Sequence, residues 1–240
     1  MRKKKYTFLG VDILGITAES RANPRIFQCT FLHLRYLRDV LLHEINILPI
    51  KDKKNEQILI DVGSGDEPPY QHFFNGKVGK ILTIDPHTYS VNIKASIENI
   101  PLPSNSVDYV LATQVFEHVA DPQRASREVL RILKKGGKAF ISTHGLWSIH
   151  RLPKDYWRFT PDSFNLLFHD FKTIRIVPNG GSIICIGQLI NLAFLPLFRH
   201  IFKLPLIIFW FLINILFLIL DILIPRDNHL IINYLVILEK

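Results

Sequence analysis

The stretch LIDVGSGDEPPY, residues 59–70, joins an apolar run to a Gly-x-Gly turn. An apolar run that ends in such a turn is the first strand and loop of a nucleotide-binding α/β fold, where the ligand sits at the carboxyl end of the sheet. The turn is also acidic, since Asp61, Asp66 and Glu67 crowd it. A dinucleotide would set its pyrophosphate against these carboxylates, and Glu67 stands near the position where the G-x-G-x-x-G fingerprint needs its third glycine. Phosphate is therefore the wrong guest, and a cation without phosphate is the right one.

Around this turn the chain alternates strand and helix signals. QILIDV, KILTID, VDYVLAT and KAFIST are short runs rich in Ile, Val and Leu, as expected of strands buried on both faces. Between the last two lies DPQRASREVLRILKKGG, where Asp121 is a candidate N-cap and Pro122 takes the first helical position. Val129, Leu130 and Leu133 make its apolar stripe, and Gly136 is the expected C-terminal glycine. This alternation predicts a doubly wound, mostly parallel sheet. TPDSFNLLF predicts a short helix, FKTIRIV a further strand and HLIINYLVILEK a last one. Upstream, Phe27, Phe31, Leu34, Leu37, Leu41, Ile45 and Leu48 recur at steps of three and four, one face of an amphipathic helix over 26–48.

The 240 residues, 48% of them hydrophobic, suffice for one main domain with an embellishment. Cys29 and Cys185 are far apart and form neither a disulfide framework nor a zinc-binding pattern, which suits a reducing, cytosol-facing location. The formal charge of +8 suits an anionic partner: nucleic acid, a membrane surface or a phosphorylated substrate. The N-terminal MRKKKYTFLGVDILGI has a basic start, but Asp12 interrupts its apolar part, so it reads as a basic arm rather than a targeting signal.

Asp61-Val62-Gly63-Ser64-Gly65 resembles the first motif of class I S-adenosylmethionine-dependent methyltransferases, and a sulfonium with an α-ammonium group is the kind of cation the acidic turn would accept. Asp85, at the end of the second strand with Pro86 after it, is similar to the family's ribose-binding acidic residue. Ser96-Ile97-Glu98 resembles the segment beside the adenine, and residues 99–143 resemble the fourth strand, following helix and fifth strand. The resemblance covers 57 to about 177 and 229–240. It implies a Rossmann-like, seven-stranded sheet with an antiparallel last strand, S-adenosylmethionine as cofactor, and cofactor contacts at Asp61, Gly63, Ser64, Gly65, Asp85, Pro86, Ile97 and Gln114. The DEPPY departure resembles a type 11-like subgroup associated with cell-surface glycan and lipid methylation.

Methyl transfer needs an aligned acceptor and, for a hydroxyl, somewhere for its proton to go. His118, His144 and His150 follow the fourth and fifth strands and are the candidate bases, although His118 could equally cap a helix start. Tyr156, Trp157 and Arg158 are candidate acceptor-binding residues; the alternative is a packed Trp157 with an Arg158–Asp155 ion pair.

The segment 183–225 is an apolar insertion, and residues 204–220 carry no charge. Its flanking strands share a sheet, so both ends lie on one side of any membrane. Two spans would put Arg199, His200 and Lys203 on the far side, so a monotopic hairpin is favoured over a two-span hairpin or an oligomer interface. The expected organisation is a basic arm and helix at 1–50, a cofactor-binding domain at 51–182 and 226–240, and a membrane-associating insertion at 183–225. The leading functional expectation is a methyltransferase on the cytoplasmic face of a membrane, O-methylating a lipid-linked or small-molecule acceptor, with a homo-oligomer possible and no metal. A non-catalytic cofactor-binding module in a surface-glycan assembly complex is the alternative. Nucleic-acid methylation is less favoured, because no Asn-Pro-Pro-Tyr-like or catalytic-cysteine motif is present.

Overall fold

The computed structural model describes residues 7–8, 11–12, 14, 17–49, 57–151, 153–199 and 203–240. The start of the basic arm and His200 lie outside the described residues, as do the side chains of Arg199 and Lys203. In chain order the strands are β1 (Thr7–Phe8), β2 (Val11–Asp12), β3 (Ile58–Val62), β4 (Lys80–Ile84), β5 (Val107–Thr113), β6 (Leu133–His144), β7 (Thr173–Pro178) and β8 (Asn233–Glu239). The α-helices are α1 (Ala18–Ala22), α2 (Phe31–Asn46), α3 (Pro122–Ile132), α4 (Pro161–Leu167), α5 (Ser182–Ala193) and α6 (Lys203–Leu223). Contacts divide the chain into two compact units, one of 1–40, 146–148 and 178–233 and the other of 41–145, 149–177 and 234–240.

The larger unit is built on a sheet of order β4-β3-β5-β6-β8-β7. Its β4, β3, β5 and β6 are parallel neighbours, with Asp61 opposite Thr83 and Leu111. Lys240, just past β8, exchanges backbone hydrogen bonds with Gly136 and Gly137 near the start of β6, so β8 runs against β6. Among the described residues the sheet has six strands, without the expected seventh, and the α/β class and reversed last strand are as expected. Fully buried Leu59, Ile60, Val110, Leu111, Ile141 and Leu235 form its centre.

The helical layer departs from the expected alternation. No α-helix follows the Gly-x-Gly turn; a single 3-10 turn, Gln71–Phe74, takes its place. Pro68 and Pro69 lack backbone donors and fix their own φ, which blocks a helix from starting at the turn. The α3 helix forms as its caps predict: the Asp121 carboxylate accepts from the Arg124 amide and Pro122 stands first. It ends earlier than Gly136 suggests. Leu133 is already extended and fully buried in β6, and Gly136 (φ +76°) instead donates its N–H to the Lys240 carbonyl. The α4 helix starts in a capping box between Thr160 and Ser163.

In the other unit α2 starts at Phe31 rather than near residue 26, and the reason is a set of buried amides. Asn214 Nδ2 donates to the carbonyls of Ile26 and Gln28, Gln188 Nε2 to that of Cys29, and Asn191 Nδ2 to Asn214 Oδ1. Carbonyls held in this way anchor the turns before α2 instead of serving its first turn. The two apolar helices of the insertion pack on each other at Gly187, where an added Cβ would lie 2.4 Å from Phe217 Cγ. Substituting Gly187→Leu forces these helices apart, and the expected loss is at least ~1–3 kcal/mol of stability. Guanidinium unfolding followed by tryptophan fluorescence tests it; an unchanged midpoint would show that the close approach does not hold the pair.

Candidate active site

Two clusters form at the carboxyl ends of the parallel strands of the larger unit, and one contact links them. The first is the turn after β3. Gly63 and Gly65 both have left-handed backbones, with φ of +68° and +63°. A Cβ on Gly63 would strike Val115 Cγ2 at 2.5 Å, whereas one on Gly65 would meet nothing within 4 Å. Gly63 is thus small for packing, and Gly65 leaves open space beside a backbone that can approach a ligand closely.

The Asp85 carboxylate pins this turn to the end of β4. Its Oδ2 accepts from the Gly65 amide at 3.2 Å, and its Oδ1 from the amides of His87 and Thr88 at 2.7 and 3.0 Å. Pro86 beside it is exposed. Asp61 is buried and accepts from Gln71 Nε2 at 3.1 Å. Burial pushes its pKa up to about 7, against the pull of the Gln71 hydrogen bond. Ser64 and Ile97 are buried, whereas Asp66 and Glu67 are exposed, with Asp66 accepting from the Ser90 hydroxyl. Glu98 accepts from the Asp121 amide and from the Ser96 hydroxyl. The residues present fit a cationic cofactor: carboxylates and a glycine gap surround the turn.

The second cluster gathers the three candidate histidines. Gln114 leaves β5 with φ +57°, its amide N–H held by the Ser142 carbonyl and its side-chain Nε2 by Ser142 Oγ at 2.7 Å. This unusual backbone for a non-glycine residue turns the chain into the 3-10 turn Phe116–His118, by way of the Val115 that touches Gly63. The His118 and His150 ring centroids are 4.9 Å apart, and those of His144 and His150 5.5 Å. Beneath them lies Glu117, fully buried, which the sequence reading missed. Its Oε2 accepts from the Thr143 hydroxyl at 2.8 Å, and its Oε1 lies 3.6 Å from His144 Nε2 and 4.0 Å from His118 Nε2. Burial pushes the Glu117 pKa up to about 7. His118 is also tied through Nδ1 to the Lys154 carbonyl.

Of the two readings left open for 155–158, the geometry carries the ion pair. Arg158 donates through both terminal nitrogens to the Asp155 carboxylate, 2.8 Å for Nη2 to Oδ2, and this holds the Asp155 pKa down at about 2. Asp155 also accepts from the His150 amide. Trp157 donates its indole N–H to the Val119 carbonyl at 2.8 Å while remaining partly exposed with Tyr156, and Phe159 is buried.

Residues 60–141 match the family model described as a methyltransferase domain. The match covers 82 of the 240 residues, from β3 into β6. A Mycobacteroides abscessus protein called an uncharacterized methyltransferase is 43% identical over 78 residues, covering 32% of this chain and 29% of its own. The 2-methyl-6-phytyl-1,4-hydroquinone methyltransferase of Spinacia oleracea is 29% identical over 143 residues, covering 56% of this chain and 38% of its own. The chain therefore spans well under half the length of these relatives. A SAM-dependent methyltransferase structure from Archaeoglobus fulgidus superposes with a TM-score of 0.52 at 16% identity, over 87% of this chain and 94% of that one. The fold is the Rossmann-like α/β fold of that SAM-dependent methyltransferase structure, and the acidic turn suits a cationic cofactor such as S-adenosylmethionine.

Asp61 yields a prediction of sign as well as size. Its folded pKa of about 7 exceeds the unfolded value of ~3.9, so across that window the folded chain holds more protons than the unfolded one. This contribution to stability is fully present below about pH 4 and is lost as pH rises through 7, at up to about 1.4 kcal/mol per pH unit. Asp61→Asn should flatten that part of the cofactor-free protein's melting profile between pH 5 and 8; profiles that stay parallel in variant and wild type would contradict the assignment.

Proposed function

We propose that the chain is an S-adenosylmethionine-dependent methyltransferase that O-methylates a lipid-linked or prenyl-like acceptor at the cytoplasmic face of a membrane. The observation that carries the reading is the Gly63–Val115 contact, which sets the cofactor turn two residues from the buried Glu117 and its three histidines. Bound S-adenosylmethionine supplies an activated methyl group. Asp85 would hold the cofactor ribose, the Gly63–Gly65 turn would lie by its methionine end, and Asp61 would back the turn. The histidine cluster would take the proton that the acceptor hydroxyl gives up on methylation. Glu117 lies where it can stabilise the positive charge that gathers on His144 or His118.

The choice of a lipid-like acceptor draws support from the insertion and from a relative. Leu204–Leu223 is long and apolar enough to cross a membrane by length and composition. It turns Leu206, Trp210, Asn214 and Phe217 inward and leaves Leu204, Ile208, Leu212, Leu216 and Ile219 about half exposed. An unbroken apolar face on a helix packed against its own domain suits insertion into the headgroup and acyl boundary. The spinach relative is named for a phytyl hydroquinone, an aromatic diol that carries a lipid tail. For this chain, a prenylated hydroquinone and a polyprenol-linked sugar are the first acceptors to try.

His150→Ala and His144→Ala are expected to lower turnover by about 10²-fold or more while S-adenosylmethionine affinity changes little, and Asp85→Ala to abolish cofactor binding. S-adenosylhomocysteine release and calorimetry measure the two quantities; equal losses in both for the histidine variants would remove the base role. In flotation with vesicles containing anionic lipid, the wild type is expected to rise with the vesicles and Leu212→Asp, Leu216→Asp to stay behind. A wild type that remains at the bottom would remove the membrane role.

A further inference from the structure

Glu117, His144 and His150 come from three segments: the 3-10 turn after β5, the last residue of β6 and the loop beyond it. Each offers one donor atom, and the three atoms lie within 4.8 Å of one another. Glu117 is fully buried, and among the described residues its Oε1 has no hydrogen-bond donor, whereas Oε2 is held by Thr143. A carboxylate oxygen removed from water and aimed at two imidazoles needs a positive charge more than it needs a neutral hydrogen bond. From these contacts we propose that Glu117, His144 and His150 bind a divalent transition-metal cation of the Zn²⁺ kind.

Two imidazole nitrogens and one carboxylate oxygen favour Zn²⁺, Co²⁺ or Fe²⁺ over Mg²⁺ or Ca²⁺, which prefer oxygen alone. The surroundings resemble an outer coordination shell. Asp155 Oδ2 lies 3.5 Å from His150 Nδ1, and Arg158 clamps that carboxylate, so one His150 nitrogen is backed by a fixed acceptor. Thr143 fixes the Glu117 carboxylate in the same way. Tetrahedral ligand atoms at ~2.0–2.1 Å from zinc stand about 3.4 Å apart, so binding draws in a cluster whose Glu117–His144 separation is 3.6 Å by a small amount, and somewhat more at His150. His150 is partly exposed, so a fourth position is open to water or to an acceptor oxygen. Sequence spacing conceals the set, because its members are 27 and 6 residues apart and no two share a helix turn.

With His144 and His150 on the cation, the proton acceptor of the methyl-transfer reading would be His118, which lies outside the ligand set. The cation's catalytic meaning rests on that reading, but its binding is measurable without any transfer. Protein without a histidine tag, stripped with a chelator and dialysed, is titrated with Co²⁺ followed by visible absorption and with Zn²⁺ followed by calorimetry. One equivalent is expected to bind, with a visible band typical of low-coordinate cobalt. His150→Ala should weaken binding by about 100-fold or more, and Glu117→Gln likewise. Asp85→Ala should leave it unchanged, so loss of cofactor binding and loss of the cation are separable. If Glu117→Gln fails to fold, His150→Ala, at a partly exposed position, decides alone. A wild type that binds neither ion below ~100 μM, or a His150→Ala protein that binds as tightly as wild type, overturns the assignment.

Discussion

The larger unit depends on how closely two chain segments approach as they leave the sheet. Strands β3 and β5 are parallel neighbours with Val62 opposite Ala112, so the turns that follow them emerge side by side. Gly63 and Val115 meet there at a distance that admits no Cβ on residue 63. A bulkier residue would push the turn away from β5, and with it the amide of Gly65 that Asp85 holds. The same displacement would move the Phe116–His118 turn, since Val115 leads directly into it. One missing methyl group therefore keeps the acidic turn and the histidine cluster in a fixed relation, which an in-line transfer requires.

Carboxylates in this unit are handled in two opposite ways. Asp61 and Glu117 are buried, Asp61 accepting from a side-chain amide and Glu117 from a hydroxyl, and desolvation outweighs these bonds and raises both. Asp155 has a guanidinium against it and is held ionised. Burying a charge without a partner costs more than most single hydrogen bonds return. Both uncompensated carboxylates stand at the carboxyl ends of strands, where α/β sheets bind ligands, and not in the centre of the core. Perturbed groups gathered in such places are what a site for a cation, organic or metallic, requires.

Local chemistry made much of this legible from the residues. The Asp61–Gly65 turn and the Asp121–Pro122 start of α3 each follow from neighbours in the chain, and each was expected where it stands; Asp85 was expected at the end of its strand as a ribose contact, not as the acceptor that pins Gly65. What escaped depends on distant partners. Glu117 reads as an ordinary acidic residue at a helix start until Thr143 and His144, 26 and 27 positions later, close over it. Likewise, α2 looks helical from residue 26 because its apolar spacing continues there, yet amides from Gln188 and Asn214 claim the carbonyls of Ile26, Gln28 and Cys29. The missing helix after the turn was signalled by Pro68 and Pro69, and Gly136 was misread because a positive φ serves a strand edge as well as a helix end.

The insertion shows why apolar composition alone could not distinguish a core helix from a membrane element. On its inner side α6 carries Asn214, fully buried and bonded to Asn191 and to two backbone carbonyls, a polar seam that has no place facing hydrocarbon. Near its end Asp221 accepts from the Tyr36 hydroxyl at 2.6 Å, which keeps that carboxylate in protein. The outer side has no such group between Leu204 and Leu220. One helix thus has a face chemically committed to its own unit and a face with no polar requirement at all. On the membrane-surface proposal only the second face could meet a bilayer, and its position along one side of the helix suits lying in the interface, since a crossing would carry Asn214 and its bonded carbonyls to the depth of the hydrocarbon.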